Sequence, residues 1–189
     1  MSSTPHPTLQ RRRLHQPSDT PAQAAHVRSV LQLLLAQDGS TTRLCEAVAR
    51  GPVSLHVLEQ RVVDAVPAEV SAALPGSMFI ERITCLAAHG QVMMDNLSYI
   101  ALDGLPANLR RDIEDAKISI GHLLSRLWVR RAFIDVGPTL HERLWAAVGL
   151  PDANASRAYC IATPDGLGLL IAETYRRGML MGHDGHDGA

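Results

Sequence analysis

The sequence predicts an α+β fold, in which a mostly antiparallel sheet is covered by helices. Two pairs of strand-like runs predict the sheet, because a short turn joins each pair: 78–87 with 92–100, and 158–163 with 167–174. Elsewhere apolar residues recur every three or four positions, which is typical of helices. Paired strands with separate helical segments favour the α+β class.

Apolar spacing and turn residues place the elements in order. A helical face at 27–35 ends at the turn Asp38-Gly39-Ser40, and a short helix is predicted at 41–49. Alternation of apolar and polar residues predicts a strand at 53–58. The remaining predicted elements are a helical piece at 67–74, a hairpin turn at His89-Gly90, helical segments that open at Leu105 and follow Gly121, a strand at 132–136, a helix at 140–148 and a turn at 164–166.

Both ends of the chain are predicted to lie outside one folded domain that spans 25–180. Residues 1–24 contain the Arg11-Arg12-Arg13 cluster and few apolar residues, so we expect a disordered basic extension. Such a cluster can contact RNA or acidic lipid, although a solvated arm is the commoner outcome. The Gly-rich residues 181–189 are expected to form a flexible tail, and its histidines make a weak metal site because ordering a tail costs entropy.

Composition and motifs exclude several classes of protein. A net charge of −1 gives no overall electrostatic reason to bind nucleic acid. No apolar run approaches the roughly 20 residues that cross a bilayer, so no membrane span is expected. Three widely spaced cysteines indicate reduced thiols in a cytoplasmic protein. The sequence contains no dinucleotide, Walker, esterase-elbow or HExxH motif, so no cofactor or metal is expected.

Two charged residues interrupt otherwise apolar strands. Arg82 lies within the run 78–86, and Glu173 lies within 169–174. Charged side chains are seldom buried without a partner, so both can simply be exposed or can form an Arg–Glu ion pair. The functional alternative is a closed cavity, in which Arg82 binds a carboxylate and Glu173 faces a hydroxyl group.

Several short segments between about Val30 and Tyr175 support the functional alternative. They are LLL at 33–35, DGSTTRL at 38–44, ERI at 81–83, SIGHLL at 119–124, SRAY at 156–159 and GLLIAETY at 168–175. Their order and spacing resemble the chorismate pyruvate-lyase family, which makes 4-hydroxybenzoate. The resemblance implies a chorismate lyase-like fold, with a single six-stranded antiparallel sheet, helices on one face and an internal ligand cavity under helical flaps.

The resemblance also implies site residues. Arg82 would bind the ring carboxylate together with the backbone at Ile120, beside Gly121. Glu173 would meet the ring hydroxyl, and Thr41 would line the pocket from a flap. Arg82 and Glu173 would be the catalytic residues, and neither a cofactor nor a metal is implied.

Two positions depart from the family pattern. Better-known members carry Met at the position of Thr41, although a related branch of the family has Thr before an Arg there, as in this sequence. Leu97 stands where better-known members carry a basic residue, which implies that one electrostatic contact to the second carboxylate is lost. Arg43, Arg157 or His122 are the candidates to replace it.

The function implied by the resemblance is conversion of chorismate to 4-hydroxybenzoate and pyruvate. One alternative is a related enzyme that acts on another chorismate-like or aromatic substrate. A second is a non-catalytic ligand-binding domain of the same fold, and a third is an interaction scaffold, expected if the charged residues are exposed. The expected partner is a small aromatic or pre-aromatic acid, bound by a monomer or weak homo-oligomer without nucleic acid.

Overall fold

A computed structural model describes residues 9–103, 110–111, 130–134, 137–163 and 168–180. The strands are β1 Ser54–Val63, β2 Phe79–Ala88, β3 Gln91–Ala101, β4 Arg130–Phe133, β5 Ser156–Ala162 and β6 Gly168–Tyr175. The helices are α1 Pro21–Ala36, α2 Thr41–Ala49, α3 Ala68–Ala73 and α4 Thr139–Val148, with short 3-10 turns at Ala153–Ala155 and Arg177–Leu180.

The six strands form one sheet in the order β1-β2-β3-β6-β5-β4, and every neighbouring pair is antiparallel. The predicted six-stranded antiparallel sheet is therefore confirmed. At the predicted hairpin, β2 and β3 are joined by His89 and Gly90, whose φ angles are 48° and 74°. Two positive φ values in a two-residue loop are what a tight hairpin turn requires, and glycine adopts such a value without strain.

Helices cover both faces of the sheet, which differs from the predicted placement on one face. Leu86 and Met94 face a core that includes residues of α1 and α2. Ile83 and Leu97 point the other way, into a core shared with α3 and α4. The inner strands β2 and β6 are buried along their whole length, so alternating side chains on both faces need an apolar layer against them.

The ends of α1 and α2 position the functional site. Thr20 caps the start of α1 in a reciprocal capping box with Gln23, and Ser40 caps α2 by accepting a bond from the Arg43 amide. Helix α2 has the bounds that the sequence predicts. The Ser40 cap fixes the end of the segment 37–40, which joins the two helices.

Residues 9–20 lie against the sheet. Leu14 is 1% exposed and belongs to the core that contains α1 and α2. Arg11 Nε lies 3.0 Å from a carboxylate oxygen of Asp95, and Asp19 pairs with Arg177 at 2.8 Å. These contacts hold the segment by burial and by ion pairs at both of its ends.

The prediction that residues 1–24 are a disordered extension is therefore wrong for residues 9–24. Composition averages over the segment and cannot show that one leucine enters a core, or that Arg11 meets a carboxylate from a distant part of the chain. The domain begins before residue 25, and residues 1–8 lie outside the described part.

Several other predictions fall on residues outside the described ranges. They are the helical segments that open at Leu105 and follow Gly121, the turn at 164–166 and the tail at 181–189. In the described ranges, no helix is long and apolar enough to cross a membrane. All three cysteines are free.

Glu81 anchors the contact between β1, β2 and α4. Its carboxylate is 5% exposed and accepts hydrogen bonds from Tyr99 at 2.7 Å, Arg61 at 3.0 Å and Arg143 at 3.0 Å. Burial alone would raise the pKa of Glu81, but the bonds from these three side chains outweigh it and lower the pKa.

We expect Leu14→Ala to lower the free energy of unfolding by about 2–5 kcal/mol, because it leaves a cavity in the core. Leu33→Ala removes the same atoms at a side chain that is 72% exposed, and should cost less than about 0.5 kcal/mol. Urea unfolding of both variants measures the difference. Equal, small losses would show that residues 9–20 do not pack on the sheet.

Glu81 should also make stability depend on pH. Its folded-state pKa lies below the ordinary value of 4.5, so its contribution is complete above pH 4.5 and is lost as pH falls through the folded pKa. Glu81→Gln should therefore be more destabilising near neutral pH than in acid, by urea unfolding across the pH range. Glu142→Gln, at an exposed position on α4, is the control. A difference from wild type that is equally large in acid would contradict the assignment.

Candidate functional site

A cavity lies between the start of α2 and the face of the sheet that α1 and α2 cover. It has a volume of about 50 Å³, which is several times the roughly 10–15 Å³ that one water needs. Its walls are mixed in character. The apolar part consists of Leu55, Leu86, Met94, Ile161 and Ile171, and the charged part consists of Arg82, Arg131 and Glu173.

A polar row crosses the sheet beneath the cavity. Thr84 on β2 lies opposite Asn96 on β3, Asn96 lies opposite Glu173 on β6, and Glu173 lies opposite Arg157 on β5. Side chains of directly opposed residues share a face, so these four side chains stand next to one another on the cavity face. The row places hydrogen-bonding groups on four adjacent strands without a break.

Glu173 is the centre of this row and is completely buried. One carboxylate oxygen lies 2.6 Å from Arg157 Nε and accepts a bond from the Tyr175 hydroxyl at 2.9 Å. The other accepts from the Tyr159 hydroxyl at 3.2 Å, and Thr41 lies 3.3 Å from both oxygens. Burial and the nearby Glu173 carboxylate raise the pKa of both tyrosines, so their hydroxyl groups remain protonated donors.

Arg157 connects the sheet to the helices above it. Its Nη1 donates to the carbonyl of Leu35 at 3.1 Å and to the carbonyl of Gln37, and its Nη2 lies 3.4 Å from Thr41 Oγ1. The last carbonyls of a helix have no partner within it, so a cation at the end of α1 is favourable. The guanidinium also lies 5.3–5.4 Å from three aromatic rings, those of Phe133, Tyr159 and Tyr175.

Two further arginines line the cavity. Arg82 is 1% exposed, and burial lowers its pKa, although an arginine stays protonated in a protein. Arg131 enters from β4, and its Nε is buried without a hydrogen-bond partner in the described structure. Glu173 is the acidic residue of the lining, and Arg157 already neutralises it.

The structure brings three of the predicted site residues together. Thr41, Arg82 and Glu173 line the same cavity, whereas Ile120 and Gly121 lie outside the described residues. Neither Arg82 nor Glu173 is exposed, so the scaffold alternative loses its premise. The ion pair of Glu173 is with Arg157 rather than with Arg82.

The structure corrects the prediction that Leu97 occupies a position facing the ligand. Leu97 packs on the opposite face of the sheet, in the core with α4, because neighbouring residues of a strand point to opposite faces. Its neighbour Asn96 faces the cavity instead. Among the candidate replacements, Arg157 lies at the site, Arg43 is exposed on α2 and His122 is outside the described residues.

Sequence reasoning missed Arg131 and the two tyrosines that bind Glu173. The strand that carries Arg131 was predicted to begin at Ala132, two residues after its observed start. Side chains two positions apart on a strand point to the same face, so an extension of the predicted strand back to Arg131 would have placed Arg131 on the same face as Phe133. Within the described ranges, no cluster of histidine, cysteine and acidic side chains could hold a metal ion.

No family model and no curated protein matches the sequence. A gene product of Staphylococcus aureus has 13% identity and a TM-score of 0.44, over 68% of this chain and 86% of that chain. A GntR-family transcriptional regulator from Bacillus cereus has 14% identity and a TM-score of 0.41, over 66% and 91%. The C-terminal domain of histidine utilization repressor from Pseudomonas syringae has 7% identity and a TM-score of 0.43, over 66% and 91%. At these TM-scores the likenesses carry no conclusion about the function of this chain.

Arg157→Met should cost about 3–5 kcal/mol of stability, because it leaves the Glu173 carboxylate buried without its cation. The double variant Arg157→Met with Glu173→Leu should recover part of that loss, since no uncompensated charge remains. Arg43→Met, on the exposed side of α2, is the control and should change stability by less than about 0.5 kcal/mol. If the double variant is no more stable than Arg157→Met in urea unfolding, the ion pair is not what fixes this region.

Proposed function

We propose that the cavity binds a small carboxylate, which Arg82 and Arg131 hold. The observation that carries the proposal is the charge of the lining. Two arginines, Arg82 and Arg131, line the cavity, and the Nε of Arg131 is buried without a hydrogen-bond partner among the described residues.

Physical chemistry favours an anion at this position. Desolvating a cation is costly, and a ligand carboxylate offsets that cost through charge-assisted hydrogen bonds. The planar guanidinium fork also matches the two oxygens of a carboxylate better than an ammonium group does. A bound carboxylate therefore offsets the cost of burying the arginines, and the arginines in turn bind the carboxylate.

The uncharged lining describes the rest of the ligand. Leu86, Met94 and Ile171 offer an apolar surface suited to a ring or an alkyl group, while Thr84 and Asn96 can bond a hydroxyl group. A hydroxylated aromatic or pre-aromatic acid fits this division. An acid of this kind is also what the family resemblance implies.

The size of the cavity bears on how such a ligand enters. Its volume of about 50 Å³ is smaller than the roughly 150 Å³ cavity that accommodates benzene. The cavity as it stands therefore has room for a few water molecules rather than for an organic acid. An aromatic acid requires lining side chains to move apart, and the start of α2 with Thr41 is the part of the lining that does not belong to the sheet.

A lyase is the second candidate, and one specific observation favours it. Thr41, Arg82 and Glu173 line the same cavity, and these are residues that the resemblance assigns to the binding of chorismate. In the proposed reaction the bond between the ring carbon and the ether oxygen breaks, and a proton leaves the ring carbon that carries the hydroxyl group. The released enolpyruvate takes up a proton at its methylene carbon, so that 4-hydroxybenzoate and pyruvate form without another reactant. Arg82 would hold the ring carboxylate, and the protein would orient the substrate and exclude water.

Calorimetric titration with 4-hydroxybenzoate, benzoate and pyruvate tests the binding proposal. Arg82→Met and Arg131→Met should each weaken binding at least about thirtyfold, because a desolvated carboxylate loses its charged partner. Arg43→Met removes an exposed arginine nearby and should leave the affinity unchanged. If no acid binds, or if all three variants bind as wild type does, the cavity is not a carboxylate site.

Incubation with chorismate separates the two candidates. A lyase releases 4-hydroxybenzoate and pyruvate in equal amounts, both measurable by chromatography, and Arg82→Met should reduce that rate by about a hundredfold or more. A binding domain forms a complex with one of the acids but releases no product. Unchanged turnover in Arg82→Met would show that Arg82 does not bind the ring carboxylate of the substrate.

A further inference from the structure

Strand β1 is an edge strand of the sheet that the described residues form. Its other side pairs with β2, and in the described part of the chain no strand pairs with its outer side. Three apolar side chains of β1 are exposed, Val57 by 37%, Leu58 by 42% and Val62 by 52%. A long edge strand with exposed apolar residues is a template for pairing with another strand.

We propose that β1 pairs with β1 of a second copy of this chain, antiparallel, about a two-fold axis at Gln60. The pairing joins two sheets into one of twelve strands. It does not depend on the proposed function, because none of the residues that carry it binds the ligand.

The register follows from the side chains on each face. In an antiparallel pair, the side chains of opposed residues lie on the same face of the sheet, whereas consecutive residues of one strand lie on opposite faces. A symmetric pair therefore cannot place a residue opposite its own neighbour in sequence, and one residue must lie opposite its own copy. With the axis at Gln60, Glu59 lies opposite Arg61 of the second copy, and Leu58 lies opposite Val62. Each of these pairs occurs twice because the interface is symmetric.

The bulge in β1 brings its exposed apolar residues to one face. Val57 is paired with Thr84 and Glu59 with Ile83, so Leu58 is the extra residue. We take Leu58 to share the partner Thr84 with Val57, so that alternation is regular from Leu58 to Val62 and Leu58 lies on the same face as Val57 and Gln60. Val62 lies two positions beyond Gln60 and therefore on that face as well. Leu58 and Val62 of the second copy can then pack against each other.

The charges select this register over its neighbours. An axis at Arg61 would oppose two arginines, and an axis at Glu59 would oppose two glutamates, both of which are unfavourable. Glu59 and Arg61 already contact Arg143 and Glu81 within the chain, but their side chains remain 44% and 58% exposed. They are therefore accessible to the second copy.

The interface is short, because the bulge limits the new ladder to about five residues on each strand. A contact of this size supports weak association that depends on concentration. Sedimentation velocity of the full chain up to about 1 mM should show a monomer–dimer equilibrium in the absence of any ligand.

Two variants locate the interface. Val62→Lys should weaken dimerisation at least about tenfold, because a lysine opposite Leu58 cannot pack. Leu33→Lys changes an exposed leucine on α1 in the same way and should leave the equilibrium unchanged. Circular dichroism and thermal unfolding show whether each variant keeps the fold.

A charge exchange tests the register. Glu59→Arg opposes arginines in its own dimer, and Arg61→Glu opposes glutamates, so each variant alone should dimerise at least about tenfold more weakly than wild type. A mixture of the two restores both opposite-charge pairs, and a fluorescently labelled mixture should form heterodimers. A defect of folding in either variant cannot produce this recovery.

Three results would overturn the proposal. One is a wild-type chain that remains monomeric up to about 1 mM. Another is a dimer that Val62→Lys and Leu33→Lys affect equally. The third is a mixture of Glu59→Arg and Arg61→Glu that associates no better than either variant alone.

Discussion

The buried ion pair between Arg157 and Glu173 is the interaction on which the site depends. Removing both charges from water is costly, and the cost is tolerated only where further hydrogen bonds satisfy the remaining polar atoms. Two tyrosines and Thr41 supply these bonds to Glu173, and carbonyls at the end of α1 supply them to Arg157. The pair thus joins β5 and β6 to the segment between α1 and α2 that closes the cavity.

The same pair also bears on the proposed ligand site. Because Glu173 is paired with Arg157, it is not the partner of Arg82 or Arg131, the two arginines of the cavity lining. The proposed binding of a carboxylate by these two arginines depends on that choice of partner.

Elements defined by local spacing could be predicted from the sequence. The bounds 41–49 of α2 follow from a cap residue and apolar spacing, and the β2–β3 hairpin follows from His89-Gly90. Arg82, Glu173 and Thr41 were found as candidates because charges within apolar strands, and a resemblance in order and spacing, are visible in one sequence. Arg131 was missed because its strand begins two residues before the predicted start, and strand ends are poorly marked by periodicity.

The sequence by itself determined the class of the fold, its hairpins and the two charged positions on buried strands. Only the tertiary structure decided that Glu173 pairs with Arg157, that Leu97 faces away from the cavity, and that Arg11 binds Asp95. The physical reason is distance along the chain. Periods of 2 and 3.6 residues are local and can be read directly, whereas Arg11 and Asp95 are 84 residues apart and meet only because the order of the strands brings them together.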